Sequence, residues 1–161
     1  MISWGFLGAG WIAKTALAPA VHAAHNATLQ AVASRDHNRA TALGPHTVYD
    51  SYEDLLADPT IDAVYINLAN DQHCQWSIAA MAAGKHVLCE KPLALDYAQA
   101  QLMADAAKKY DRVLVEAVWS QWHPRFIRAV ELIQAGEIGN LIWIDSSFCF
   151  TANFADIYRL D

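Results

Sequence analysis

The stretch Ile2-Ser3-Trp4-Gly5-Phe6-Leu7-Gly8-Ala9-Gly10-Trp11-Ile12-Ala13 decides the fold. Ile2 to Leu7 is a short apolar run of strand length, and an alanine-rich helical pattern runs from Ile12 to Ala24. A strand that turns through two glycines straight into a helix opens a βαβ unit. Gly8 permits the tight turn, and Gly10 lets a ligand approach the backbone. Ala13, in place of a third glycine, still allows the helix to pack closely on the strand. The amides of Trp11 and Ile12 begin the helix, where unpaired N–H groups and the helix dipole favour a phosphate. In this strand–turn–helix context the glycines predict a dinucleotide pyrophosphate site.

Working outward, Leu29 to Ser34 reads as a second strand, apolar enough to be buried on both faces. Thr47 to Tyr49 is a brief third strand, Ile61 to Leu68 a fourth, His86 to Cys89 a fifth and Arg112 to Val118 a sixth. Helical stretches separate them. Ser51 caps one, with Asp54 at its third position, and Asp96 caps another, with Gln99 in the same relation. Gly84 suits the left-handed residue that closes the helix before strand five. This rhythm predicts an α/β fold, a doubly wound parallel Rossmann sheet over residues 1–118.

After Trp119 the pattern changes. Residues 119–161 are expected to hold a linker helix, from about Arg125 to Gln134, and an apolar strand from Leu141 to Phe150. That would be the start of a truncated second α/β domain for substrate binding and dimerisation. A lone strand leaves its edges unpaired, so the chain is expected to form a homo-oligomer through it unless further sequence completes it.

Composition limits the function. The chain has 161 residues, is 55% hydrophobic and 17% charged, and carries a net charge of −6 from 17 acidic and 11 basic residues. Nucleic acid and anionic membranes need a clustered basic surface, so neither is an expected partner. Cys74, Cys89 and Cys149 are odd in number and far apart, which offers neither a disulfide framework nor a zinc knuckle. His22 and His25 share a helix face but lack a third ligand, so no metal is expected. With no leader pattern and no bilayer-length apolar run, the expected location is the cytoplasm.

Strand two ends Ala33-Ser34-Arg35-Asp36. NAD sites usually place an acid there for the ribose hydroxyls. Here Ser34 holds that position and Arg35 follows, a pair that suits the 2′-phosphate of NADP. The alternative is a surface arginine paired with Asp36. After strand four come Asn70-Asp71-Gln72-His73, in which Asp71 reads as a helix cap and His73 as a first-turn residue. Strand five ends Glu90-Lys91-Pro92, placing an acid and a lysine where ligands meet such sheets. Lys91 could hold a substrate hydroxyl or deliver a proton to it; a plain loop ion pair is the alternative. Glu116, ending strand six, reads first as a structural hydrogen-bond partner, with a catalytic acid as the alternative.

Four segments together resemble the N-terminal part of the glucose–fructose oxidoreductase, inositol dehydrogenase and rhizopine-catabolism (Gfo/Idh/MocA) family. They are GAGWIA at Gly8 to Ala13, NDQH at Asn70 to His73, AGKHVLCEKPLA at Ala83 to Ala94, and EAVWSQWHPRF at Glu116 to Phe126. Within the family the likeness is strongest to NADP-dependent dihydrodiol and D-xylose dehydrogenases. The resemblance implies a nicotinamide cofactor, NADP with NAD possible, and hydride transfer to or from a sugar or small diol. It implies that Lys91 acts near the nicotinamide and the substrate hydroxyl. Glu90, Asn70 and His73 would line the cofactor side, and Trp119 a wall of the substrate pocket. Gln121 stands where the family often has arginine, and the family's further catalytic residues fall beyond Asp161. The competing expectation is a truncated, non-catalytic nucleotide-binding module. An S-adenosylmethionine site on a similar sheet is disfavoured by Glu90-Lys91-Pro92.

Overall fold

Short β-branched and aromatic runs bounded by glycine and polar residues become strands throughout the first part of the chain. The computed structural model describes residues 1–147 and Cys149. The strands are β1 (Ile2–Leu7), β2 (Ala27–Ala33), β3 (Thr47–Tyr49), β4 (Ala63–Ile66), β5 (His86–Cys89) and β6 (Leu114–Glu116). They form one sheet in the order β3-β2-β1-β4-β5-β6, every pair parallel. This is the doubly wound order, and the strand sequence reverses direction at β1. Ligands of such sheets bind outside the carboxyl ends of the strands at that switch point.

The register carries the site. Leu7 pairs with Ala33 on one side and Ile66 on the other, Ile66 with Cys89, and Cys89 with Glu116. These residues form a row along the carboxyl edge of the sheet. One residue further along each chain stand Gly8, Ser34, Asn67 and Glu90.

Alternate residues of each strand feed two apolar layers, as the strand period requires. Leu7, Ala33, Val64, Ile66 and Cys89 pack with Leu55, Met81 and Met103 on one face. Phe6, Val32 and Tyr65 pack with Ala13, Val21 and Leu43 on the other. The first face is covered by α3 (Tyr52–Ala57), α4 (His73–Ala82) and α5 (Tyr97–Tyr110). The second is covered by α1 (Ala18–Ala23) with the turn before it, and by the short α2 (His37–Thr41).

Caps follow the sequence. The Ser51 hydroxyl accepts the Asp54 amide at 3.0 Å, and the Asp96 carboxylate accepts that of Gln99 at 2.8 Å. Gly84 closes α4 at φ 81°. The helix expected from Ile12 to Ala24 is not uniform: Ala13–Leu17 is a wide π-helical turn, in which the Ala18 amide bonds the Ala13 carbonyl. Pro19 explains it. Proline has no amide to bond Thr15, and its ring crowds that carbonyl, so the turn upstream widens.

The chain divides into two units, Met1–Val118 and Trp119–Asp161. The second begins with a 3-10 turn, Trp119–Trp122, followed by α6 (Pro124–Gln134), which the His123 ring caps by accepting the Arg125 amide at 3.1 Å. The strand expected from Leu141 to Phe150 is absent over residues 141–147, while Phe148 and Phe150 lie outside the described residues. Ile142, Trp143 and Ile144 are 92%, 80% and 70% exposed. A strand needs a neighbour to take its amides and carbonyls, and this segment has none among the described residues. No helix among the described residues is long and apolar enough to cross a membrane.

Candidate active site

The glycine turn is laced to the end of β4. The Gly8 amide donates to the Ala33 carbonyl at 2.8 Å, and the Asn67 amide to that of Leu7 at 2.9 Å. Gly8 sits at φ 94°, and a Cβ there would collide with the Asn67 carbonyl oxygen. A Cβ on Gly10 would collide with the Asn67 side-chain Oδ1, to which the Gly10 amide donates at 3.1 Å. Gly8 is therefore required by its approach to rigid backbone, whereas at Gly10 the obstacle is the end of a side chain. Beyond them, the first amide of the helix to bond back is that of Lys14, to the Gly10 carbonyl at 3.1 Å. The amides of Trp11 and Ile12 precede it, as unpaired donors of a helix start do. No acidic residue lies in that first turn.

At the end of β2, Ser34 is only 7% exposed, and its Oγ accepts the Asp36 amide at 3.2 Å. Asp36 caps α2 by accepting the Arg39 amide at 3.0 Å and pairs with Arg39 Nε at 3.0 Å. The backbone bond from Arg39, chiefly, holds the Asp36 carboxyl below its usual range. So the partner of Asp36 is Arg39 and not Arg35, which corrects the alternative pairing. Arg35 is exposed and joins no ion pair among the described residues.

Asn70 is exposed in a 3-10 turn, Asn70–Gln72. Asp71 does not cap α4; Gln72 holds that position without a side-chain bond. His73, expected to line the cofactor side, is wholly buried. Its Nδ1 lies 2.8 Å from the Pro92 carbonyl oxygen and its Nε2 lies 3.2 Å from that of Leu68. The buried ring lies between the two loops, and the nitrogen that carries the proton donates to a backbone carbonyl.

The Glu90-Lys91-Pro92 segment is fixed by its neighbours. The Lys91–Pro92 peptide is cis. Glu90 accepts the Tyr65 hydroxyl on Oε1 at 2.7 Å and the Lys91 amide on Oε2 at 3.1 Å. Glu116 accepts the Leu93 amide at 2.9 Å, the structural role its position suggested. Lys91 is exposed, and no ion pair joins it to Glu90 among the described residues. Its side chain is exposed, while its backbone amide is anchored to Glu90.

Tyr65 and Asn67 belong to no motif that the sequence displays. Tyr65 is fully buried, edge-on to Phe6 with ring centres 5.0 Å apart. Burial, then the Glu90 carboxylate, pushes its phenol well above the ordinary tyrosine range. A tyrosine inside an all-apolar strand was the available signal, because a buried hydroxyl must find a partner. Trp119 belongs to the second unit, is 63% exposed, and meets the His123 ring edge-on at 6.4 Å.

The doubly wound sheet, with a glycine turn and a helix start free of acids at its carboxyl edge, places the chain in the class of Rossmann dinucleotide-binding domains. The model of the Gfo/Idh/MocA oxidoreductases, an NAD-binding Rossmann fold, matches residues 2–118, and the chain belongs to that family. It is 41% identical to a D-xylose 1-dehydrogenase (NADP+) of Haloferax volcanii, over 98% of this chain and 50% of that protein. It is 35% identical to the trans-1,2-dihydrobenzene-1,2-diol dehydrogenase of Mus musculus, over 92% of this chain and 46% of the other. A 3-ketoreductase from Actinomadura kijaniata, solved with NADP and TDP-benzene, superposes with a TM-score of 0.77 at 32% identity. That match covers 84% of this chain and 42% of the reductase. The chain spans about half the length of the curated relatives it matches.

Proposed function

We propose that this chain is the cofactor-binding half of an NADP-preferring dehydrogenase that moves hydride to or from a carbinol carbon of a sugar or small diol. The observation that carries the reading is the register row: Gly8, Ser34, Asn67 and Glu90 follow four adjacent strands at one edge, with Lys91 anchored beside them. The residues fit a dinucleotide. The turn leads into a helix start that offers unpaired amides with no nearby acid. Asp36, the carboxylate that follows Arg35, is engaged by Arg39, which leaves Arg35 to meet a 2′-phosphate. NADP bound there would supply the hydride acceptor or donor.

The chain's own residues do the rest. The Trp11 and Ile12 amides hold the pyrophosphate, and Arg35 holds the 2′-phosphate. Asn70 lines the cofactor side, while Glu90 supports that side through the backbone it fixes. Lys91 holds the substrate hydroxyl and carries its proton, at a backbone position set by Glu90 and by the His73 and Glu116 ties to the loop. Residues 119–161 begin a second domain in which Trp119 walls the substrate pocket. The exposed run Ile142-Trp143-Ile144 supports completion of that domain against more protein, in a homo-oligomer working in the cytoplasm.

Calorimetric titration of NADPH and NADH into the wild type and Arg35→Ala tests the reading. A charge-assisted bond contributes about 1.5–3 kcal/mol, so NADPH should bind roughly ten- to a hundredfold tighter than NADH, and Arg35→Ala should erase most of the difference. Tighter NADH binding to the wild type, or an unchanged preference in the variant, removes Arg35 from that role. Binding of neither cofactor removes the dinucleotide reading.

A further inference from the structure

The two halves of the site are joined by an unbroken run of hydrogen bonds. The Gly10 amide donates to Asn67 Oδ1 at 3.1 Å, and Asn67 Nδ2 donates to the Tyr65 hydroxyl at 3.1 Å. Tyr65 donates to Glu90 Oε1 at 2.7 Å, and the Lys91 amide closes the run on Glu90 Oε2 at 3.1 Å. Three donors point one way along the chain and end on a carboxylate, which also accepts from the other side. Bonds aligned in this sense polarise one another, most strongly where water is excluded. Tyr65, at the middle, is fully buried, and Asn67 is half-buried with its amide committed at both ends. The buried Tyr65 hydroxyl cannot shift without releasing a bond on each side, while the Lys91 amide at the far end of the run is exposed.

We propose that Asn67 and Tyr65 are positioning residues that couple the glycine turn to the Lys91 loop, so that seating a dinucleotide on the turn also fixes the lysine. The proposal rests on the dinucleotide reading above and adds to it a link between the two sides of the site. Asn67 meets the turn directly at Gly10. Tyr65 acts only through its neighbours, because its ring lies in the core layer with Phe6 while its oxygen alone reaches the edge. The link runs through three consecutive elements of the sheet, β1, β4 and β5, so it needs no movement of a helix.

Titration of NADPH, combined with amide hydrogen exchange across residues 90–95, tests the coupling in this chain. In the wild type NADPH should slow exchange at the Lys91 amide. Tyr65→Phe keeps the ring and removes the bridging oxygen. It should bind NADPH about tenfold more weakly and, once saturated, show no slowing at Lys91. Asn67→Ala, which touches neither Glu90 nor Lys91, should lose the same slowing. The double variant should be no worse than the more affected single, the signature of residues acting in one chain. Equal slowing in the wild type and both saturated variants overturns the coupling while leaving cofactor binding intact. Failure of the wild type to bind NADPH overturns the dinucleotide reading and the coupling with it. Should Tyr65→Phe not fold, Asn67→Ala decides alone, since its effect is read at a residue it does not contact.

Discussion

Gly8 and Gly84 share a left-handed backbone, at φ 94° and 81°, for different reasons. Gly84 ends a helix in open space, with nothing within 4 Å of where a Cβ would stand. Gly8 carries the same strain and also faces the Asn67 carbonyl at a separation no real Cβ tolerates. Gly84→Ala should therefore cost about 1 kcal/mol. Gly8→Ala should cost about 2–5 kcal/mol, adding the overpacking of rigid backbone to the strain. Urea unfolding of both variants measures the difference; equal losses would mean that the close approach at Gly8 relaxes without cost. The sequence marked both glycines, because turn chemistry is local. It did not mark Asn67, whose importance comes from a neighbour distant in the chain. His73 illustrates the same limit: the resemblance placed it on the cofactor side, while the fold buries its ring between the carbonyls of Pro92 and Leu68.

At the scale of elements, every strand of the Rossmann sheet was legible, because short apolar runs between turn residues have few other uses. The π turn was not, since it arises from how Pro19 alters bonding one turn upstream. The central strands also bury ionisable groups whose neutral forms the fold requires. Burial in β5, chiefly, pushes the Cys89 thiol up from 9.0 to about 12. Between those values the unfolded chain has lost the proton that the folded chain keeps, so stability falls as pH rises, and below 9.0 the two states bind it equally. The slope from one such group is about 1.4 kcal/mol per pH unit. Lys85, lowered by its own burial against the opposing charges of Asp58 and Asp62, works in the opposite sense just below its usual 10.5. Comparison of the wild type with Cys89→Ala cancels that contribution. The wild type should lose stability more steeply between pH 9 and 11, and parallel curves would show that the thiol is not held protonated.

At the scale of the molecule, the first unit encloses its own core. The buried hydrophobic residues run from Phe6 to Ala106, and no residue of 119–147 is buried. All six strands, the hydrogen-bond run from Gly10 to Lys91 and the Glu116 anchor lie before Val118. Hydrophobic burial is the main favourable contribution to folding, so an element that buries no side chain contributes little to it. Cutting the chain after Val118 should leave one cooperative thermal transition, with a midpoint within about 4 °C of the parent, the shift that roughly 1 kcal/mol makes in a domain of this size. NADPH should raise that midpoint by the same amount in both, since the binding free energy of a ligand specific to the folded state adds to its stability. Two opposite results would be informative. A shortened chain that unfolds broadly would mean that the first unit does not fold by itself. A shortened chain that melts like the parent but no longer responds to NADPH would mean that the cofactor is held partly from beyond Val118. In that case the amides of Trp11 and Ile12, with Arg35, would be insufficient to hold it.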